Sequence, residues 1–289
     1  MKQIIHFPRI SIMGLECPGL AIGMSVKRLG IADHVTGIEV SREDLSRKAK
    51  DLGAVDECTN DMDLGIRDCD LLILNLPCGE IIHIMPQLSS GVKPGCIVTD
   101  TSGIKKNIVD RAAVLFNNDR FFIGSHPMIY IKKGNIDVAR GLEFQNNTAF
   151  VTFVPQTDKT VLARVSLFWK TLGMVPFLID PQRHDRYMAL VSHLPYIVAC
   201  ALTRMASDIP EDNNFIRRIT GMEFQDTTHI AGGDVSIWSE ILKENAAGIL
   251  PTIDRMILEL QTLKNSIEGK EFEVLKDFLT NISEFRNKL

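Results

Sequence analysis

The feature that most constrains this chain is a change of rhythm near residue 180. Up to about Asp180, short apolar runs alternate with helix-like stretches. The candidate strands are Ile10–Met13, His34–Ile38, Leu71–Leu76, Ile97–Thr99, Phe121–Ile123, Thr148–Phe153 and Met174–Ile179. Between them lie helical segments such as Glu43–Asp51, Gly79–Leu88, Lys106–Phe116 and Lys159–Leu172. Near-continuous apolar strands separated by helices imply a mostly parallel sheet covered on both faces. Pro181 and the polar run Gln182-Arg183-His184-Asp185 mark a boundary, and no convincing strand follows it. Arg186–Ala206, Asn213–Thr220, Ser236–Lys243, Leu250–Ser266 and Phe272–Arg286 read as helices. The expectation is an α/β domain over residues 1–181 and an all-α domain over residues 182–289. A chain of 289 residues is long enough for both.

Charge and cysteine usage narrow the class of partners. Lys plus Arg number 32 against 36 for Asp plus Glu, so the net charge of −4 gives no electrostatic case for nucleic acid. The six cysteines (Cys17, Cys58, Cys69, Cys78, Cys96, Cys200) lack metal-site spacing and fall mostly in apolar segments, which points to reduced thiols. No metal is expected. The N-terminus is too short and too polar for a signal peptide, and no apolar run approaches membrane-spanning length. The expectation is a cytoplasmic protein without a membrane partner.

Gly14-Leu15-Glu16-Cys17-Pro18-Gly19 follows the first strand and opens a helix, the context of a Rossmann-like dinucleotide fingerprint. Glu39 ends the second strand twenty residues beyond Gly19, where an acidic side chain accepts from the ribose hydroxyls of NAD. Two residues inside the loop oppose that reading. The second motif position is normally glycine, so that backbone can approach the pyrophosphate, and Glu16 places an anionic side chain there. A carboxylate about 4 Å from a phosphate charge costs roughly 4 kcal/mol at an effective dielectric near 20, unless it turns away or takes up a proton. Pro18 offers no N–H to the phosphates.

Gly124-Ser125-His126-Pro127-Met128 presents a histidine just past an interior strand, with Pro127 stiffening the turn after it. A neutral imidazole takes up and returns a proton near pH 7, which suits oxidation of an alcohol. A second histidine, His193, precedes Pro195 in a helix whose Met188–Leu202 stretch is apolar nearly all round. Such a helix must be buried against its own domain or a second subunit, and Pro195 should kink it beside His193.

Together these residues resemble the prephenate dehydrogenase family, which includes arogenate and cyclohexadienyl dehydrogenases. The markers are Leu52-Gly53-Ala54-Val55-Asp56, Leu74-Asn75-Leu76-Pro77, Val98-Thr99-Asp100 with Lys105, and the Gly124–Met128 turn. In the second half they are His184-Asp185, Ser192-His193-Leu194-Pro195, Asp226-Thr227-Thr228 and Ile230-Ala231, with Asp234 and Trp238. The resemblance implies a nucleotide-binding domain and a helical domain that intertwines with its partner in a homodimer. It implies oxidative decarboxylation of prephenate, with hydride passing from ring carbon 4 to NAD or NADP. His126 matches the catalytic histidine, and His193 matches a histidine lining the substrate pocket. Gly14, Gly19, Glu39, Pro77 and Asp100 are the candidate cofactor-binding positions.

The departures fall where ligands should sit. The family usually carries serine at Gly103, with Ser102 adjacent as a substitute. The family's carboxylate-binding arginine aligns with His229, which is shorter and lacks the bidentate fork. After the histidine turn come Ile129-Tyr130-Ile131-Lys132, of which Lys132 is the candidate replacement cation. Two readings follow: an oxidoreductase of this family, favoured by the retained His126, His193, Asp100 and Glu39, or a non-catalytic dimer binding an aromatic or chorismate-derived ligand, or another protein. An unrelated two-domain dehydrogenase ranks last, because it leaves Ser192–Pro195 unexplained.

Overall fold

The structure, a computed structural model, describes residues 5–116, 119–129, 144–209 and 213–288. Lys132 lies outside them. A six-stranded sheet runs in the order β3-β2-β1-β4-β5-β6, from β1 (Phe7–Met13), β2 (Ala32–Ile38), β3 (Glu57–Thr59), β4 (Leu71–Leu74), β5 (Ile97–Asp100) and β6 (Phe121–Ile123). Every pairing in it is parallel. The connecting helices are α1 (Gly19–Leu29), α2 (Glu43–Asp51), α3 (Met62–Ile66), α4 (Cys78–Gly91) and α5 (Lys106–Leu115). Apolar residues fill both faces of the sheet: Ile10, Ile12, Leu71 and Ile73 point into one layer, and Leu72, Leu74 and Val98 into the other. This is the two-sided burial that the uninterrupted apolar strands required.

The expectation that all the apolar runs join one sheet is corrected. A second sheet of order β7-β8-β9 comprises β7 (Ser125–Pro127), β8 (Thr148–Thr152) and β9 (Val175–Ile179), with β7 antiparallel to β8 and β9 parallel to it. His126 therefore lies within a short strand opposite Phe150, not on a turn. Gly124 makes the passage between sheets. A Cβ there would stand 2.6 Å from Thr152 Oγ1 and 3.0 Å from a Val109 methyl. The helix α6 (Lys159–Thr171) closes this layer with the buried Trp169.

Beyond β9 the described chain is helical: α7 (Pro181–Met188), a π turn (Ala189–His193), α8 (Leu194–Ser207), α9 (Asn213–Ile219), α10 (Met222–Thr228), a 3₁₀ turn (His229–Gly232), α11 (Val235–Glu244), α12 (Ala246–Glu268) and α13 (Phe272–Arg286). Pro195 sits in the first turn of α8, and the π turn before it absorbs the lost hydrogen bond. The helix thus continues from Pro181 to Ser207 for 27 residues, and by length and composition it is apolar enough to cross a membrane. That corrects the expectation that no run reaches spanning length. His184, Asp185 and His193 of this helix are nevertheless buried and hydrogen-bonded inside the chain. Its other side is open: Leu190 and Val191 are 48% and 60% exposed.

Gly124→Ala should destabilise the protein by about 1–3 kcal/mol, because backbone, Thr152 and Val109 must all shift to admit one methyl. Urea unfolding checks this, and an unchanged midpoint contradicts the account of the crossing.

Candidate active site

Ser125 anchors the strand that carries His126. Its hydroxyl lies 2.8 Å from Thr99 Oγ1 and accepts from Trp169 Nε1 at 3.0 Å. Its N–H donates to Asp100 Oδ1 at 3.0 Å, and its carbonyl accepts from Lys105 Nζ at 2.7 Å. Lys105 also pairs directly with Asp100, and both side chains are fully buried. Burial pushes the Asp100 carboxyl up, against the pull of the Lys105 ammonium and the N–H groups of Ser125 and Ser102. Asp100 therefore lies beneath the site and holds β5 to β7.

Three histidines converge above this base. His126 Nδ1 is 2.9 Å from His184 Nε2, and His184 Nδ1 is 2.7 Å from Asp185 Oδ1. A carboxylate only accepts, so His184 carries its proton on Nδ1 and presents a bare Nε2. His126 must then donate from Nδ1, which leaves its own Nε2 as the proton-accepting nitrogen. That nitrogen faces Gly103, standing 3.7 Å from where a Cβ of residue 103 would be. The adjacent Ser102 hydroxyl accepts the Ile104 N–H at 3.2 Å and keeps its own proton to donate.

His193 is held separately. Asn245 Nδ2 donates to the Asp185 carbonyl at 2.8 Å and lies 3.1 Å from His193 Nδ1. His193 accordingly accepts on Nδ1 and carries its proton on Nε2. Its ring lies 6.3 Å from that of Trp238, which stacks on Tyr196 at 3.7 Å. Burial is the main cause lowering all three histidines: His126 well below its ordinary value, His184 despite the pull of Asp185, and His193 to about 4. All three are neutral at pH 7.

The loops at the junction of β1 and β4, where the strand order reverses, form the second part of the site. A Cβ on Gly14 would stand 2.2 Å from the Asn75 carbonyl, and one on Gly19 2.3 Å from the Gly14 carbonyl. Asn75 Nδ2 ties the loop down by donating to the carbonyls of Gly14 (3.1 Å) and Glu16 (3.0 Å). Glu39 accepts the Leu15 N–H at 3.2 Å. The Glu16 side chain turns outward to Arg42, 3.2 Å away, and Arg42 also grips Asp44. Pro77 caps α4, whose Gly79 N–H is accepted by Glu240 of α11.

His229 is exposed on the 3₁₀ turn, its Nδ1 2.6 Å from the Asp226 carbonyl, outside the histidine chain. His184, Asp185, Asn245 and Trp238 were not read as site residues from sequence. His184-Asp185 and Trp238 entered the sequence reading only as markers of the resemblance, and His184-Asp185 also as a boundary, because nothing local shows that the pair becomes buried. Among the described residues no group of three or more His, Cys, Asp or Glu side chains is placed to hold a metal.

A six-stranded parallel sheet in this order, with a glycine cradle at its switch point and a helical half closing over it, defines a two-domain protein of the dinucleotide-binding class. Residues 22–177 match the family model described as prephenate dehydrogenase, nucleotide-binding domain, and residues 180–281 the prephenate dehydrogenase dimerization domain. The chain belongs to the prephenate dehydrogenase family. It is 25% identical over 281 residues to the prephenate dehydrogenase of Bacillus subtilis, a span covering 97% of this chain and 76% of that protein. It is 25% identical to the cyclohexadienyl dehydrogenase of Zymomonas mobilis, covering 93% and 92%. The solved prephenate dehydrogenase of A. aeolicus, in complex with hydroxyphenyl propionate and NAD+, superposes with a TM-score of 0.89 at 26% identity, covering 99% of each chain.

Because His193 is neutral when folded, the unfolded chain binds the extra proton below pH 6.5. The stability this contributes is full above about pH 6.5 and falls as pH drops toward 4, by roughly 3 kcal/mol in all. His126 and His184 act in the same direction. Guanidinium unfolding from pH 7.5 to 4.5 should show this loss, with a shallower slope in His193→Asn. Parallel profiles would contradict it.

Proposed function

We propose that this chain is a nicotinamide-dependent dehydrogenase that oxidatively decarboxylates prephenate or a related cyclohexadienyl acid. The observation carrying the reading is the Asp185–His184–His126 chain, which leaves His126 Nε2 unprotonated and facing the opening at Gly103. In this reading Nε2 takes the proton of the substrate's 4-hydroxyl while hydride leaves carbon 4, and the ring carboxylate departs as carbon dioxide. His193, with a proton on Nε2, acts as a donor on the pocket wall, beside Trp238.

The loop residues suit a dinucleotide. Gly14 and Gly19 keep the cradle free of side chains, Glu39 stands at the end of β2, and Glu16 is drawn away by Arg42. Gly14, Gly19, Glu39 and Pro77 would hold NAD or NADP, which accepts the hydride when bound; Asp100 and Lys105 position the base from below. Exposed apolar residues along the helical half, among them Val191, Leu258, Phe272 and Phe285, support a homodimer through that domain. The unpaired cysteines support a cytoplasmic setting. Lys132 remains the candidate replacement cation, and His229 a candidate substrate-binding residue.

A second reading, a family member that binds its ligand without turnover, is favoured by His229, which lacks the planar fork a carboxylate prefers. One assay separates the two: nicotinamide reduction with prephenate and with arogenate. Wild type should be active, His126→Asn should lose about a hundredfold or more in kcat with folding intact, and His229→Arg should lower KM. Activity that survives His126→Asn removes the catalytic assignment. Inactivity of every variant favours the binding protein.

A further inference from the structure

We propose that the cavity behind α7 is a second ligand site, for a small organic anion with an apolar body. It encloses about 810 Å³ between α5, α7 and α12, within the range of roughly 300–1,000 Å³ typical of small-molecule sites. Arg183, Arg186 and Leu190 recur at i, i+3 and i+7, on the side of the helix turned away from His184. Lys106, already paired with Asp110, and Arg255 bring further cations from α5 and α12, while Leu190 and Pro251 supply apolar wall.

The arginine charge there is available. The carboxylates on the wall are engaged: Asp185 with the N–H groups of Lys105 and Lys106 and with His184, Glu244 with Asn107. The arginines are loosely held. Arg183 donates to the Tyr187 hydroxyl at 3.2 Å, and Arg255 faces Glu259 at 3.9 Å in an exposed pair. Exposed pairs of this kind are weakly held because solvent screens them. A ligand carboxylate, able to take a bidentate guanidinium, displaces them. The site is also wired to the first. Asp185 and Asn245 line the cavity, and the same two residues set the hydrogen bonds of His184 and His193. An anion bound here sits directly behind the groups that fix the tautomers of the histidine chain.

Hydrogen-exchange footprinting of the full chain tests this, with phenylpyruvate as an aromatic carboxylate probe and inorganic phosphate as an anion without an apolar body. Phenylpyruvate should slow exchange in peptides spanning 182–190 and 246–255, and phosphate should do so more weakly at equal concentration. Arg186→Ser combined with Arg255→Ser should weaken that protection at least tenfold, whereas His126→Asn should leave it intact. Both arginines are exposed, so the double variant is expected to fold, and circular dichroism verifies that it does. Three results would overturn the proposal: protection unchanged in the double variant, protection confined to peptides around residues 124–128 and 235–240, or both segments already protected without ligand in a dimer, which would make a second copy the occupant. The footprint does not depend on nicotinamide reduction, so failure of this site and failure of the dehydrogenase reading are read separately.

Discussion

The Asp185 carboxylate accepts three hydrogen bonds from two halves of the chain. The N–H groups of Lys105 and Lys106 donate to it at 2.8 Å each, and His184 Nδ1 donates at 2.7 Å. The first two are the unsatisfied donors at the start of α5, where the helix dipole favours a negative charge. Asp185 thereby caps a helix of the parallel domain from the first helix of the other domain, while its backbone carbonyl accepts from Asn245. It is 5% exposed, so each bond is worth more than in water, and its loss would leave buried donors unsatisfied. The same group that docks the two halves therefore sets the proton positions in the site between them. Glu240 repeats the arrangement on α4, so two neighbouring helix starts at the sheet's carboxyl edge are capped from across the cleft.

The glycine loop shows how a misplaced charge is accommodated. Glu16 facing a phosphate would oppose the cofactor by several kcal/mol, but its side chain is 65% exposed and lies against Arg42. Only its backbone belongs to the cradle, held by Asn75. Asn75 in turn accepts from Thr101 Oγ1 at 2.9 Å. One amide thus links the loops after β1, β4 and β5, which are the three that meet at the switch point. The departure at residue 16 changes the electrostatics of the rim and leaves the shape of the loop.

The alternation of strands and helices was legible because parallel strands are buried on both faces and read as apolar runs. Glu57–Thr59 escaped because a three-residue edge strand of mixed character leaves no such run. Ser125–Pro127 escaped because its pairing with β8 joins residues far apart in sequence. β9 was found but assigned to the wrong sheet. Its Val175, Phe177 and Leu178 are about half exposed, yet in sequence the run resembles a core strand. At the site, His126, His193 and Glu39 were visible from spacing and context. His184 was not, because its function depends on a 2.9 Å contact with a residue 58 positions away. Position 103 was visible only as a departure; its meaning, an open approach to His126 Nε2, needed coordinates.

Three neutral histidines and one buried ion pair leave a particular distribution of charge. Asp100 and Lys105 cancel, so the net charge next to the histidine chain is the carboxylate of Asp185. Burial disfavours imidazolium at His126, and Lys105 and the neighbouring rings oppose it further. A proton arriving at Nε2 is therefore poorly held where it lands. Transfer of the Nδ1 proton to His184 Nε2 would move the positive charge one ring inward, where burial still opposes it and the Asp185 carboxylate offsets part of that cost. In the proposed reading, His126 would be a weak base at rest, with the Asp185 carboxylate two groups away partly offsetting the cost of its conjugate acid. That arrangement keeps His126 Nε2 free of a proton at neutral pH and, in the proposed dehydrogenase reading, would give an abstracted proton a place to go.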